Sequence, residues 1–337
     1  MRAAVYNPDG SLKLVERDLT EPEPGWALVK VSAVGICGTD LHIRNGALGA
    51  PTGIQPGHEV TGVVDRIGED TGMKEGTNVV LEPVLGCGDC RYCNSGLSNR
   101  CQGKQFFGHT LHGGMADSFL VNASLLYPVN PGLAPAIAAL VEPAAVCVRG
   151  VRRGKVNTGA KVAIIGAGTI GLLSILAAQH MGASEVHICA RHPHQQDMAH
   201  HLGATRVYSN FSTLIDTLGD DYIDVVIESV GGTAETLGNA VEVATTGGTV
   251  VMLGAYVSDP RLPALRFMTR ELSLVASNCH AHDGDRSDMD VAIELVSNQS
   301  HLLAPLVTHS FKLDQVGEAF RTAEDKDSKS IKVQVCP

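Results

Sequence analysis

The stretch Lys161-Val162-Ala163-Ile164-Ile165-Gly166-Ala167-Gly168-Thr169-Ile170-Gly171 decides the fold. An apolar run ends abruptly in G-x-G-x-x-G, and helical apolar spacing follows from Thr169 to Met181. A second apolar run, Glu185-Val186-His187-Ile188-Cys189, comes within 30 residues of the first glycine. A lone glycine triplet carries little information. Framed by a strand before it, a helix after it and a second strand, it reads as a turn that admits a pyrophosphate to backbone N–H groups at a helix N-terminus. Downstream, Asp224 to Ile227 and Thr249 to Leu253 read as further strands, with a helix from Thr233 to Ala244 between them. This β-α-β-α rhythm predicts a parallel, doubly wound sheet.

The end of the second strand bears on which nucleotide fits. Folds of this kind place an acid about 20 residues beyond the glycines to bind the ribose 2′-OH of NAD. Ala190, Arg191 and His192 stand there instead. Loss of the acid removes repulsion against a 2′-phosphate, and a guanidinium adds bidentate attraction. The expected cofactor-binding residues are therefore Gly166, Gly168, Thr169, Ile170, Gly171, Ala190, Arg191 and His192, with NADP(H) favoured over NAD(H).

Outward from this segment the texture changes. Residues 1 to about 145 hold short apolar runs, such as Ala27 to Val31, Glu59 to Val64 and Thr77 to Leu81, cut by glycine and proline turns. After about Ser277 the pattern is irregular again, with a helix near Met289 to Val296 and a closing strand from Ile331 to Val335.

Within the first region Cys87, Cys90, Cys93 and Cys101 form a comb, C-x2-C-x2-C-x7-C, that takes four of the nine cysteines in 15 residues. Four thiolates around one point suit a tetrahedral Zn²⁺, and four protein ligands leave no open position, so this zinc is expected to be structural. Upstream lie Gly35-Ile36-Cys37-Gly38-Thr39-Asp40-Leu41-His42 and Pro56-Gly57-His58-Glu59-Val60.

In this order the motifs make the chain resemble the zinc-dependent medium-chain alcohol and polyol dehydrogenases, on the sorbitol and threonine dehydrogenase branch. The resemblance covers nearly the whole chain. It implies an α/β protein: a GroES-like, β-rich catalytic domain over residues 1–147 and 278–337, and a Rossmann domain over 148–277, with the active site in the cleft between them. It implies two zinc ions per chain, the second catalytic and held by Cys37 and His58 with Glu59 or Glu142. The sequence leaves open which glutamate binds directly. Thr39 then resembles the hydroxyl that takes the alcohol proton, and His42 the histidine that passes it toward solvent through the cofactor ribose. Asp40 would orient His58. Zinc with an open position lowers the pKa of a bound alcohol and polarises a ketone. The segment Ala276 to His282 lacks the arginine that sorbitol dehydrogenases carry there, so a cyclitol, amino alcohol or smaller secondary alcohol fits as well as a sugar alcohol. The competing readings are a zinc-free quinone or enoyl reductase of the same superfamily and a non-catalytic structural protein on this fold. Both conflict with the presence of every ligand residue.

Composition narrows the partners. With 44% hydrophobic and 18% charged residues, a sizeable core is expected. A net charge of −10 argues against nucleic acid or an anionic membrane. The longest apolar candidate, Pro135 to Val148, is broken by Glu142 and Pro143, so no membrane span is expected. Nine cysteines behind an N-terminus that reads as a strand rather than a signal peptide point to a reducing, cytoplasmic setting. The resemblance to the dehydrogenases implies a homodimer or homotetramer. The Arg191 reading is tested by Arg191→Asp, which is expected to raise the Michaelis constant for NADP far more than for NAD; equal effects on the two would refute it.

Overall fold

The computed structural model describes residues 1–49, 52–282 and 284–337. The chain forms two compact units, one from Met1–Glu142 with Ala281–Pro337, the other from Pro143–His280.

The second unit is a six-stranded sheet in the order Arg206–Tyr208, Glu185–Cys189, Lys161–Ile165, Ile223–Glu228, Ala244–Met252, Ser273–Ala276. Every pairing is parallel. The strands read as near-continuous apolar runs because helices cover their faces. Val162, Ala163 and Ile164 are fully buried, and the Thr169–His180 helix packs on this strand and its Glu185–Cys189 neighbour. Chain order reverses between Lys161–Ile165 and Ile223–Glu228, so a crevice opens at their carboxyl ends. The predicted helix from Thr233 begins later, at Thr236, because Gly231 and Gly232 take left-handed dihedrals in the turn before it.

The first unit is built on a seven-stranded sheet ordered Val307–Lys312, Lys332–Cys336, Trp26–Gly35, Glu59–Ile67, Asn78–Leu81, Leu126–Pro128, with Ser118–Asn122 also paired to Trp26–Gly35. Its core gathers Val29, Val31, Val60, Phe107 and Phe119 from the first part of the chain, and Phe320, Val333 and Val335 from the last. The closing strand lies antiparallel to Trp26–Gly35, pairing Val335 with Val34. This unit is thus completed only when the chain returns to it after the parallel sheet. Among the described residues no helix is long and apolar enough to cross a membrane.

One turn is decisive for the chemistry-bearing residues. Gly57, just before His58, has φ +95°, and a side chain there would meet Val34 Cγ2 at 2.7 Å and Met115 Cγ at 2.9 Å. The neighbouring loop straps the turn in place, Gly114 N donating to Gly57 O at 2.8 Å and Met115 N to Pro56 O at 3.0 Å. Replacement by alanine carries both the left-handed strain and the crowding. Gly57→Ala is expected to cost about 1–3 kcal/mol, seen as a lowered denaturation midpoint, with weaker retention of metal at His58.

Candidate functional site

In the first unit, three expected ligands from two separate segments meet. Donor atoms of Cys37, His58 and Glu59 all lie within 4.8 Å of one another. Cys37 ends the turn after the Trp26–Gly35 strand and begins the Gly38–Arg44 helix, whose first turn is fixed by Asp40 Oδ2 accepting from Cys37 N at 2.9 Å. Glu59 opens the adjacent strand, in register with Gly35, and His58 immediately precedes it. Gly35 matters by lacking a side chain: a Cβ there would occupy the position of Glu59 Oε2. Thr39 and His42 are half-buried on the short helix that follows Cys37.

The acidic and imidazole members of the cluster are buried, while Cys37 is half-buried. Asp40, His58, Glu59 and Glu142 are each 5% exposed or less. Asp40 Oδ1 stands 3.7 Å from His58 Nδ1, close enough to act on the imidazole electrostatically and to bias its tautomer. Glu142, in the first turn of the Val141–Arg153 helix, lies outside the 4.8 Å group but acts electrostatically on His58 and Glu59. Phe106 sets its ring edge-on to His58 with centroids 5.1 Å apart, while Phe107 is buried in the core. Of two adjacent phenylalanines, one borders the site and the other packs.

Sequence reasoning missed Lys332. Its Nζ is 2.7 Å from both Glu59 oxygens and donates to Ile36 O at 3.1 Å, with the side chain 3% exposed. A signal was present: in the closing strand Lys332 and Gln334 share one face, and both are buried. Polar residues on the inward face of a strand need partners.

The charge balance tests whether a metal ion fits. Three buried carboxylates (Asp40, Glu59, Glu142) and the Cys37 thiol are set against the Lys332 ammonium and the His58 imidazole. Burial pushes the Asp40 and Glu59 carboxyls above the usual carboxylate range, against the pull of His58 and Lys332. Burial acts to depress the His58 imidazole, yet Asp40, Cys37 and Glu142 hold it well above its ordinary value. Such a site demands positive charge. A divalent cation supplies it, and one thiolate, one imidazole and carboxylate oxygens form a donor set suited to zinc.

Cys87, Cys90, Cys93 and Cys101 likewise converge, their sulfurs within 4.8 Å of one another. Cys90 and Cys93 are 3.6 Å apart and Cys87 and Cys93 4.0 Å, near the edge of about 3.8 Å that roughly 2.3 Å Zn–S bonds require. A backbone hydrogen bond from Cys93 foremost draws the Cys90 thiol down to about 7, whereas Cys87, donating to Asp89 Oδ1 at 2.8 Å, is pushed up to about 12. Cys147 stays apart, buried and donating to Ile170 O at 3.2 Å.

In the second unit the glycine turn and the Ala190-Arg191-His192 segment follow neighbouring strands, Ile165 being in register with Cys189. They therefore emerge side by side at one edge of the sheet. Gly166 has φ +102°, and Gly171 allows the helix to close onto Gly166 O, where any side chain would collide. Gly168 faces open space at the start of the Thr169–His180 helix. Ala190 is buried and accepts from Gln196 Nε2 at 2.9 Å, Arg191 is exposed, and His192 precedes the Pro193–His201 helix with its ring stacked on His194.

Residues 23–131 match the family model for the alcohol dehydrogenase GroES-like domain, and residues 169–298 that for zinc-binding dehydrogenase. The 2-dehydro-3-deoxy-L-galactonate 5-dehydrogenase of Pseudoalteromonas atlantica is 32% identical, over 95% of this chain and 94% of its own. The D-altritol 5-dehydrogenase of Agrobacterium fabrum is 30% identical over 99% of both chains. Among solved structures, a zinc-binding dehydrogenase from Sinorhizobium meliloti bound to NADP has a TM-score of 0.90 at 28% identity, covering 100% of this chain and 99% of its own. Galactitol-1-phosphate dehydrogenase from Escherichia coli has a TM-score of 0.89 at 25% identity, covering both chains fully.

Proposed function

The chain belongs to the zinc-type medium-chain alcohol and polyol dehydrogenases, and from that premise we propose that it moves hydride between NADP(H) and a secondary alcohol or its ketone, the substrate being a polyol, cyclitol or similar hydroxylated molecule. The observation that carries this reading is the convergence of Cys37, His58 and Glu59 beside an excess of buried carboxylates. When bound, zinc supplies Lewis acidity toward the substrate oxygen, and the nicotinamide supplies or accepts the hydride. Cys37 and His58 would hold the ion, and Glu59, whose carboxylate lies within the same 4.8 Å group, would complete the protein ligands. Lys332 holds that carboxylate in place through contacts to both of its oxygens. Glu142, which acts electrostatically on His58 and Glu59, would accept a proton from water or substrate. Thr39 takes the alcohol proton on Oγ1, and His42, three residues along the same helix, passes it outward. Asp40 holds the His58 ring.

Cys87, Cys90, Cys93 and Cys101 hold a second zinc whose role is structural. The exposed Arg191 at the end of its strand supports a 2′-phosphate on the nucleotide. No two of the nine cysteines are joined in a disulfide, which supports a cytoplasmic setting.

Assembly is read from the edge strand Ser273–Ala276, where Leu274 is half-exposed beside the Ala264–Thr269 helix bearing exposed Leu265 and Met268. Unpaired backbone next to apolar surface invites a second copy of the chain. Light scattering of the purified protein is expected to give the mass of two or four chains, and a monomer would exclude this.

Function is tested by incubating the enzyme with secondary alcohols, polyols and cyclitols and following nicotinamide reduction with NADP and with NAD. Turnover with at least one class, faster with NADP, is expected; no turnover by a preparation holding about two zinc ions per chain would refute the reading. The ligand assignment predicts that Glu59→Gln leaves about one zinc per chain. Glu142→Gln should retain about two while turnover falls about 10- to 100-fold. The reverse pattern would make Glu142 the ligand.

A further inference from the structure

Beside the glycine turn lies a fully buried carboxylate to which the reaction assigns no task. Glu228 ends the Ile223–Glu228 strand and is in register with Ile165, the last residue before Gly166, across the point where the strand order reverses. Its side chain folds back on the chain that follows. Oε1 accepts from Val230 N at 2.7 Å, Gly231 N at 3.0 Å and Thr236 Oγ1 at 2.8 Å. Three donors on one oxygen fix the Ser229-Val230-Gly231 turn and tie it to the Thr236–Val243 helix.

That turn packs against the glycine turn. Ser229 N donates to Ile165 O at 3.0 Å, and Ser229 Oγ to Ile165 O at 3.0 Å and Gly166 O at 3.3 Å. The Ser229 hydroxyl lies where a Cβ on Gly166 or Gly171 would come within 2.9 Å, and Val230 Cγ2 would be 2.6 Å from a Cβ on Gly166. The two side chains after Glu228 therefore rest against two of the three motif glycines. On the far side the turn is held by Gly232 N donating to Ala255 O at 2.7 Å, and Gly231 is in close backbone contact with Gly254 and Ala255.

We infer that Glu228 is a positioning residue for the dinucleotide: it fixes the 229–231 turn as the second wall of the glycine turn, so nucleotide affinity depends on a carboxylate sealed beneath the site. The inference rests on the proposed nucleotide-binding reading. Backbone N–H groups bind a pyrophosphate well only when they are already aimed at it, and an acceptor that gathers two N–H groups and a hydroxyl supplies that preorganisation.

The test uses the full zinc-loaded chain, titrated with NADPH and followed by nicotinamide fluorescence, with zinc content and melting temperature measured in parallel. Glu228→Leu removes the acceptor and is expected to weaken NADPH about tenfold or more, with zinc content unchanged. Glu228→Gln keeps an oxygen acceptor in place and is expected to stay within about threefold of the parent. A Glu228→Leu protein that melts earlier yet binds NADPH with the parent Kd would overturn the inference, because the carboxylate would then serve stability alone. Should Glu228→Leu not fold, Ser229→Ala decides: a Kd raised about threefold or more supports the brace between the two turns, and an unchanged Kd refutes it. Failure of the parent chain to bind any nicotinamide dinucleotide would sink the nucleotide reading and this inference together. Parent binding with unaffected variants would sink the inference alone.

Discussion

The buried pair between Glu59 and Lys332 joins strands 273 positions apart in sequence. Its two 2.7 Å contacts satisfy both carboxylate oxygens, and the third ammonium interaction goes to the carbonyl beside Cys37. A buried ion pair adds little net stability over an apolar packing, but separating its members is expensive, about 3–5 kcal/mol for the loss of one partner. The value of this pair is therefore specification. It admits one arrangement of the closing strand, in which Lys332 comes back beneath the start of the Glu59–Ile67 strand. The sheet of the first unit, its core residues Val333 and Val335, and the position of Glu59 beside Cys37 and His58 all depend on that return.

The same constraint explains why the site is rich in acid. One buried lysine and one imidazole are outnumbered by three buried carboxylates and a thiol. The fold tolerates the imbalance because the site is built around a charge that the polypeptide does not itself supply. The comb of Cys87, Cys90, Cys93 and Cys101 is a simpler case. Its ligands come from one short segment, so the chain needs only local turns to assemble it.

The two units solve different problems with glycine. Around Gly166 and Gly171 the missing side chain lets a helix and a strand approach until backbone atoms nearly touch, leaving the N-terminus of the helix open. At Gly35 the missing side chain makes room for a glutamate. The first use is announced by a motif. The second is visible only when Gly35 and Glu59 are seen opposite each other in adjacent strands.

The sequence by itself determined the parallel unit almost entirely, because the apolar runs, the glycine turn and the helix after it are neighbours along the chain and follow from local periodicity. It likewise determined the four-cysteine comb, the Cys37 and His58-Glu59 segments and the family to which they belong. Tertiary structure decided what depends on distant contacts: Glu59 rather than Glu142 standing among the clustered side chains, Lys332 opposite Glu59, Phe106 and not Phe107 beside His58, and Glu228 holding the turn that packs on the glycine motif. None of these has a spacing rule. A lysine in a closing strand and a glutamate at a strand end read as ordinary surface charges until the fold buries them, and only burial forces each to find a partner.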